Sequence, residues 1–359
     1  MTERNAKRMS TRAKLLTIIA LAVIVIGIGA YAYLSMQSPP KQHLIVSTTT
    51  SLYETGLLDL LKPEFEKKYP SINVSFISQG TGLAIQTAMR GDADMILVHD
   101  PARELTFLKD GYGVNRKIIA YNFFVIVGPS EDPAKVRGLS PIDAFKKIEE
   151  SGEAKLALWV SRGDDSGTHS KEKSLWKKAG FNATELRKMS WYFEAGSGMT
   201  ATLKMADEKG AYTLTDLGSY LMNYQKSNIR LEVLVEAGKD TLNVYSAIAN
   251  NPRKTEVAKS NFDASMKFIK FLVSDEGQTI FEEFGKANFG KPLFNPYIKL
   301  LKSGSDSELI KWIQELAYFD GTECPPEYRY QEEELYQAMS SELTLCICIY
   351  EKRSTPHST

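Results

Sequence analysis

"HLIVSTTTSLYETGLLDLLKPEFEKKYPSINVSFIS", His43 to Ser78, holds two apolar strand candidates with a helical pattern between them. "HLIVST" has the character of a buried strand. Leu57, Leu58, Leu61 and Phe65 then recur at helical spacing before "INVSFIS" opens the next strand. Pro63 falls inside that pattern and predicts a kink or a restart. The alternation continues: "GLAIQTAMRG" predicts a helix closing on Gly91, and "DMILVHD" a third strand. A βαβαβ opening of this kind implies a parallel sheet with helices on its faces.

Working outward, "KIIAYNFFVIVGP" is a long strand candidate ending at Pro129, and a second set of elements follows it. That set comprises the helix "AFKKIEES", the strand "LALWV", a helix through Ser174–Lys178, the helix "GMTATLKMADEKG", the short strand "AYTLT" and the helix "DLGSYLMNY". "LEVLVE" and "NVYSAIANNP" return as strands. "NFDASMKFIKFLVSDEGQTIFEEFG" closes as two helices on Phe262, Met266, Ile269, Phe281 and Phe284. Two α/β units emerge, and the absence of short-period repeats excludes a solenoid. Beyond Lys302, "ELIKWIQELAYF" predicts an amphipathic helix on Leu309, Trp312, Ile313 and Leu316. The rest of the tail, through "CPPEYRY" and "LCICIY", is expected to pack on the main domain and then to be disordered, and no function is read from it.

The chain has 359 residues, of which 43% are hydrophobic and 25% charged, with a formal net charge of zero. Such a balance argues against a nucleic-acid partner, which leaves a basic excess. At the N-terminus, "LLTIIALAVIVIGIGAYAYL" (Leu15 to Leu34) carries no charge, and about 20 such residues suffice to cross a bilayer. Arg4, Lys7, Arg8, Arg12 and Lys14 precede it, which places the N-terminus inside and the rest of the chain outside. Residues 1–14 are thus expected as a cytoplasmic stub, 15–35 as a transmembrane anchor and 36–42 as a linker. A cleaved signal segment is the alternative, Ala30-Tyr31-Ala32 offering the small-x-small site. Cys324, Cys346 and Cys348 are the three cysteines. They make neither a disulfide framework nor a zinc site, and none lies near the N-terminus to carry a lipid.

Four places share one design, in which a strand ends, serine, threonine and glycine cluster, and a helix begins. They are "STTTS" (Ser47–Ser51), "SQGTG" (Ser78–Gly82), "SRGDDSGTH" (Ser161–His169) and "GSGMT" (Gly196–Thr200). Helix N-termini carry free N–H groups and a partial positive charge, and hydroxyls beside them add donors without net charge. Ligands of open α/β sheets bind at these carboxyl ends of strands. Any one cluster is an ordinary N-cap; four in series, with Arg162 adding a full positive charge and a two-pronged donor, suit an anion.

"STTTSLYETGLLDLLKPEFEKKY", "QGTGLAIQTAMRGDADMILVHDP" and "SRGDDSGTHSKEKSLWKKAG" together resemble the tungstate-binding solute receptors of ABC importers, the TupA-like family, from about His43 to Pro296. The resemblance implies an α/β fold of the type II periplasmic-binding-protein class. Each of its two lobes would be an open, mostly parallel sheet flanked by helices, here preceded by one transmembrane helix. Residues 43–300 would form the binding domain, with lobe one at about 43–122 and 243–300, lobe two at about 123–242, and 301–359 as a C-terminal extension. The family's "TTTS" falls on Thr48–Ser51, so Thr50 and Ser51 are first-lobe donors, with Thr49 secondary. Its second-loop hydroxyl falls on Thr81. Its arginine and threonine fall on Arg162 and Thr168, with Ser166 in the same turn. Ser197 is a closing contact, with Thr213 and Thr215 as further candidates. The implied partners are tungstate or molybdate, an ABC permease in the membrane and no nucleic acid. The chain is expected as an extracytoplasmic monomer with no cofactor and no enzymatic activity.

Rival readings remain open at this point. Asp165, Ser166 and His169 are the residue types of a hydrolase triad, but they are neighbours on one turn and no Gly-x-Ser-x-Gly elbow is present. His99-Asp100 is a candidate metal pair or a hydrogen-bonded loop end. Among oxyanions, an all-donor pocket suits tungstate, molybdate or sulfate, whereas protonated phosphate wants a carboxylate acceptor, which Asp164 and Asp165 would supply.

Overall fold

The computed structural model describes residues 11–36, 41–236 and 238–336. Arg4, Lys7 and Arg8 of the expected stub, Pro39 and Pro40 of the linker, and Cys346 and Cys348 with the "LCICIY" run lie outside the described residues. The chain divides into two compact units, Met1–Gln42 and His43–Thr359.

The first unit is a single helix, Thr11–Met36. Among the described residues, no helix is long and apolar enough to cross a membrane. The expected anchor therefore finds no support among the described residues.

The described residues include ten strands: β1 (Gln42–Thr49), β2 (Ile72–Gln79), β3 (Met95–Val98), β4 (Gly113–Gly128), β5 (Trp159–Ser161), β6 (Tyr192–Glu194), β7 (Thr213–Asp216), β8 (Glu232–Val235), β9 (Leu242–Asn250) and β10 (Asn295–Pro296). The larger sheet runs β10-β4-β9-β3-β1-β2, with β7 and β8 also on β4, while β5 and β6 pair separately. β1 and β3 are parallel, as are β5 and β6. β9 is antiparallel to both β3 and β4, and β7, β8 and β10 are antiparallel to β4. The sheet is mixed, which corrects the expectation of mostly parallel lobes. The long strands that carry the chain out and back necessarily oppose their neighbours, and a βαβ pattern predicts only the locally wound strands.

β4 is the element that organises the rest. It is buried along nearly its whole length, and pairs with β9 from Gly113 to Phe123 and with β7 and β8 from Phe124 to Gly128. One apolar core, including Leu57, Phe65, Phe268 and Phe271, packs on one side of that change of partner. Another, built on Phe145, Trp159, Trp176 and Trp191, packs on the other. The helix Leu57–Lys68 runs through Pro63 unbroken, because Leu57, Leu58, Leu61 and Phe65 are all buried and hold both halves to the sheet.

One helix and the detailed contacts of the tail went unread in the sequence. The helix Pro101–Lys109 starts on an Asp100 cap with proline in its first turn. The C-terminal segment, meanwhile, is built into the fold. Where the β4–β9 register shifts, Asn115 takes a positive φ of 55°, and the side chains that follow reach into residues 317–335. Asn115 exchanges two hydrogen bonds of 2.8 Å with the Tyr330 backbone. Arg116 Nη1 donates to the carbonyls of Ala317 and Glu323 at 2.9 and 2.7 Å, and Lys117 pairs with the Glu323 carboxylate.

Candidate functional site

The first cluster divides by role. Ser47 and Thr48 finish β1: the Ser47 hydroxyl accepts from Gln79 at 3.1 Å, and Thr48 Oγ1 donates to the Leu97 carbonyl at 3.1 Å. Thr49 caps the helix Thr50–Glu54, its oxygen accepting from the Leu52 N–H at 3.3 Å. Thr50 and Ser51 stand beyond the strand end.

Facing them is the turn after β5. Gly163 adopts φ +61°, and a Cβ there would lie 2.8 Å from the Glu194 side chain, so only glycine fits. This bend turns Arg162 back into the protein, where it is 1% exposed. Asp164 holds the guanidinium, accepting from Nε at 3.1 Å and also from Nη2. Nη2 donates as well to Thr50 Oγ1 at 3.2 Å, while Nη1 is buried without a hydrogen-bond partner. Beneath the strand, buried Glu172 accepts from Ser161 Oγ, Trp159 Nε1 and Tyr192 Oη at 2.7–2.8 Å, and burial raises its pKa. These bonds fix the strand end from which Arg162 projects.

Ser166 caps the helix Gly167–Lys178, accepting from the His169 N–H at 3.2 Å. The Gly167 N–H donates across to Thr81 Oγ1 at 2.8 Å. The next residue, Thr168, has a buried hydroxyl with no partner. Arg103, on the helix after β3, latches the outer edge by donating to the Asp165 carbonyl and carboxylate at 3.0 Å. Thr200 Oγ1 donates to Glu54 at 3.0 Å on the other side.

One regularity follows from these directions. Arginine and backbone N–H groups only donate, so the hydroxyls of Thr50, Thr81 and Ser166 each accept one hydrogen bond here and keep their proton free to donate. Arg162 Nη1 and Thr168 Oγ1 add two buried donors, and an unpaired buried polar group costs about 1–3 kcal/mol. The contacts Arg162–Thr50 and Gly167–Thr81 join the turn after β5 to the first two clusters.

The remaining candidates are less gathered. Thr213 Oγ1 is buried without a partner. Thr215 Oγ1 donates to the Asp216 carbonyl at 3.1 Å. Ser197 is exposed, its backbone carbonyl accepting from Thr202 Oγ1 at 3.4 Å. Asp216 was missed by sequence reasoning. It caps the helix Leu217–Gln225 through the Ser219 N–H at 2.9 Å; burial raises its pKa and Arg162 opposes the rise.

A family model described as "PBP superfamily domain" matches residues 35–276. The chain belongs to the PBP superfamily. Within it lies the TupA-like family, to which the chain also belongs. It is 38% identical over 291 residues to the tungstate-binding protein TupA of Peptoclostridium acidaminophilum, covering 79% of this chain and 98% of that one. A putative ABC transporter anion-binding protein of Haloferax volcanii is 47% identical over 261 residues, covering 71% of this chain and 72% of the relative. Among solved structures, TupA from Desulfovibrio alaskensis aligns with a TM-score of 0.60 at 41% identity, covering 71% of this chain and 98% of that one. The PBP-superfamily match spans "STTTS", "SQGTG", "SRGDDSGTH" and "GSGMT", so all four hydroxyl clusters lie inside the shared region.

Proposed function

We propose that this protein is an extracytoplasmic solute-binding protein that captures tungstate between two lobes and delivers it to an ABC permease, without doing chemistry on it. The observation that carries the reading is the set of unspent donors around Arg162 and Thr168. A fully deprotonated tetrahedral oxyanion accepts hydrogen bonds and offers none, so buried donors and hydroxyls that keep their protons, gathered around a guanidinium, complement it. The proposed oxyanion ligands are Thr50, Ser51, Thr81, Arg162, Ser166 and Thr168, with Thr49, Ser197, Thr213 and Thr215 as peripheral candidates.

Phosphate is the less favoured reading because two nearby carboxylates are spent, although Asp216 keeps one buried oxygen without a partner. Asp164, one of the two carboxylates that would accept its proton, is committed to Arg162 and the Ser166 N–H, and Asp165 is committed to Arg103. Molybdate has the same charge and shape and is the second reading. Tungstate is preferred because the relatives named for a metal oxyanion are named for it.

The change of β4 partner between Phe123 and Phe124 supports a lobe boundary there, with β9 as the return strand. The lobes would then be about 43–122 with 243–300, and about 123–242. Closure is a hinge motion that ligand favours because both sets of donors reach it only when the lobes meet. Attachment through the N-terminal helix rests on the sequence: the uncharged run Leu15–Leu34 with five basic residues before it.

Calorimetric titration with tungstate, molybdate, sulfate and phosphate tests the reading. Tungstate and molybdate are expected to bind far more tightly than phosphate near neutral pH. Preferential phosphate binding would overturn it, and ester hydrolysis abolished by Ser166→Ala would favour an enzyme instead. Gly167→Ala supplies a geometric test, because the new Cβ would lie 2.8 Å from His99 Cε1 and 3.0 Å from Thr81 Oγ1. Holding the lobes apart and weakening one cross-lobe hydrogen bond, it is expected to lower oxyanion affinity about tenfold with the fold retained. Wild-type affinity in this variant would show that closure does not need the close approach.

A further inference from the structure

Ser51 breaks the rule that the other hydroxyls obey, and the reason lies behind it. Its Oγ is 3.3 Å from His99 Nε2 and 3.3 Å from Thr49 Oγ1. Thr49 Oγ1 accepts from the Leu52 N–H and keeps its own proton, and either hydroxyl of the Thr49–Ser51 pair can be the donor. Where the Ser51 proton goes depends on the tautomer of His99.

That tautomer can be read from a carbonyl, which only accepts. The Leu293 carbonyl takes a hydrogen bond from Asn122 Nδ2 at 3.4 Å, so the Asn122 Oδ1 faces Asn243. Asn243 Nδ2 then donates to Asn122 Oδ1 at 2.8 Å and to Tyr245 Oη at 2.9 Å. This leaves Asn243 Oδ1 for His99 Nδ1 at 2.8 Å, and Nδ1 must carry the hydrogen. With Nδ1 protonated, the neutral ring keeps a bare Nε2, which draws in the Ser51 proton. The hydroxyl that should face the anion is turned away from it by a relay anchored on β4 and β9.

We propose that His99 is the positioning residue that sets the donor direction of Ser51, and that capture of a fully deprotonated oxyanion is accompanied by uptake of one proton at His99 Nε2. A solvent proton adds to Nε2, the new N–H donates to Ser51 Oγ, and the Ser51 O–H turns to the anion. Nδ1–H stays on Asn243 throughout, so charge and protons balance. The inference rests on the oxyanion reading of the site.

The surroundings agree with a ring neutral when free and charged when loaded. His99 is 5% exposed and stacked on Tyr245 at 4.8 Å, with Phe124 at 6.2 Å. Burial depresses its pKa to about 4; the Asn243 hydrogen bond and Asp100 oppose this, and Arg162 adds to it. Asp100, Arg103 and Lys171 line a cavity of about 360 Å³ beside the ring. A dianion beside Ser51 reverses the balance. The loaded pKa lies above the free one, so affinity is expected to rise as pH falls through the loaded value and to level off near about 4.

The experiment uses the full chain in detergent, titrated with tungstate in two non-phosphate buffers of different ionisation enthalpy between about pH 7 and about pH 6. The wild type is expected to take up a fraction of a proton that grows as pH falls. His99→Gln should still bind, with no uptake and a flat pH profile. Histidine-selective ¹⁵N spectra of the wild type give a second readout that needs no variant. Free protein should show His99 with a bare Nε2, and tungstate-loaded protein should show both ring nitrogens protonated. Tungstate binding with no proton uptake, or a bare Nε2 in the loaded protein, would overturn the proposal. Absence of tungstate binding altogether would instead overturn the reading of the site on which it rests.

Discussion

Replacing Arg162 by alanine is expected to weaken tungstate binding by about 2–5 kcal/mol, the usual loss when one partner of a buried, hydrogen-bonded charged contact is removed. The guanidinium is the one full positive charge among the proposed ligands. It is 1% exposed, and one of its terminal nitrogens is buried without a partner. The loss has two further sources. Asp164 would stand uncompensated 15% exposed beside the anion, and Thr50 would lose the donor that directs its proton into the site. Arg162→Lys keeps the charge but not the planar fork, and is expected to recover only part of the affinity. Calorimetry on both variants, with thermal unfolding as a control for folding, provides the test. Alanine with wild-type affinity would remove Arg162 from the binding site.

The second large effect concerns stability. Arg116 and Glu104 are both fully buried, with Nε donating to Oε2 at 2.7 Å. Glu104 also accepts from the Asp100 N–H at 2.9 Å, which ties the pair to the start of the helix Pro101–Lys109. Arg116 serves two carbonyls of the C-terminal segment and lies 4.6 Å above the Phe319 ring. Burial raises the Glu104 pKa while Arg116 pulls it back, so each charge is tolerated because of the other. Glu104→Ala or Arg116→Ala is expected to destabilise the protein by about 3–5 kcal/mol in denaturant unfolding, by leaving one buried charge unpaired. Glu104→Leu combined with Arg116→Met should cost much less than the sum of the single changes, because neither charge then remains. Additive losses would show that the two groups act independently.

This pair also explains why the tail resisted reading. Leu309, Trp312, Ile313 and Leu316 gave the helix Ser307–Ala317 away by their spacing. Nothing in "ECPPEYRY" signals that its backbone carbonyls and Glu323 would satisfy Arg116 and Lys117 on a strand some two hundred residues earlier. A carbonyl has no sequence signature, and the bulge at Asn115 that aims those side chains arises only once β4 and β9 are paired. Ser197 shows the limit of composition: it matches the other clusters, and only the fold reveals that its turn leaves it at the surface.

Glu172 is the instructive omission near the site, and His99 was read as a hydrogen-bonded loop end without its partners. Neither has a neighbour in sequence that hints at its partners. Glu172 meets Trp159, Ser161 and Tyr192, and His99 meets Ser51 and Asn243, from 11 to 144 positions away. Local pattern cannot encode such pairs, because the energy that makes them exists only in the low-dielectric interior formed by folding.

What the sequence determined by itself was whatever local stereochemistry and hydrophobic period dictate. The alternation of strands and helices, the hydroxyl-rich helix starts and the glycine-bent turn behind Arg162 all follow from residue types at short spacing. The tertiary structure alone decided the mixed order of the sheet, the anchoring of the tail and the direction in which each hydroxyl spends its proton. Those outcomes depend on donors and acceptors brought together from distant positions, where the first bond fixed at a carbonyl sets all the others in its chain.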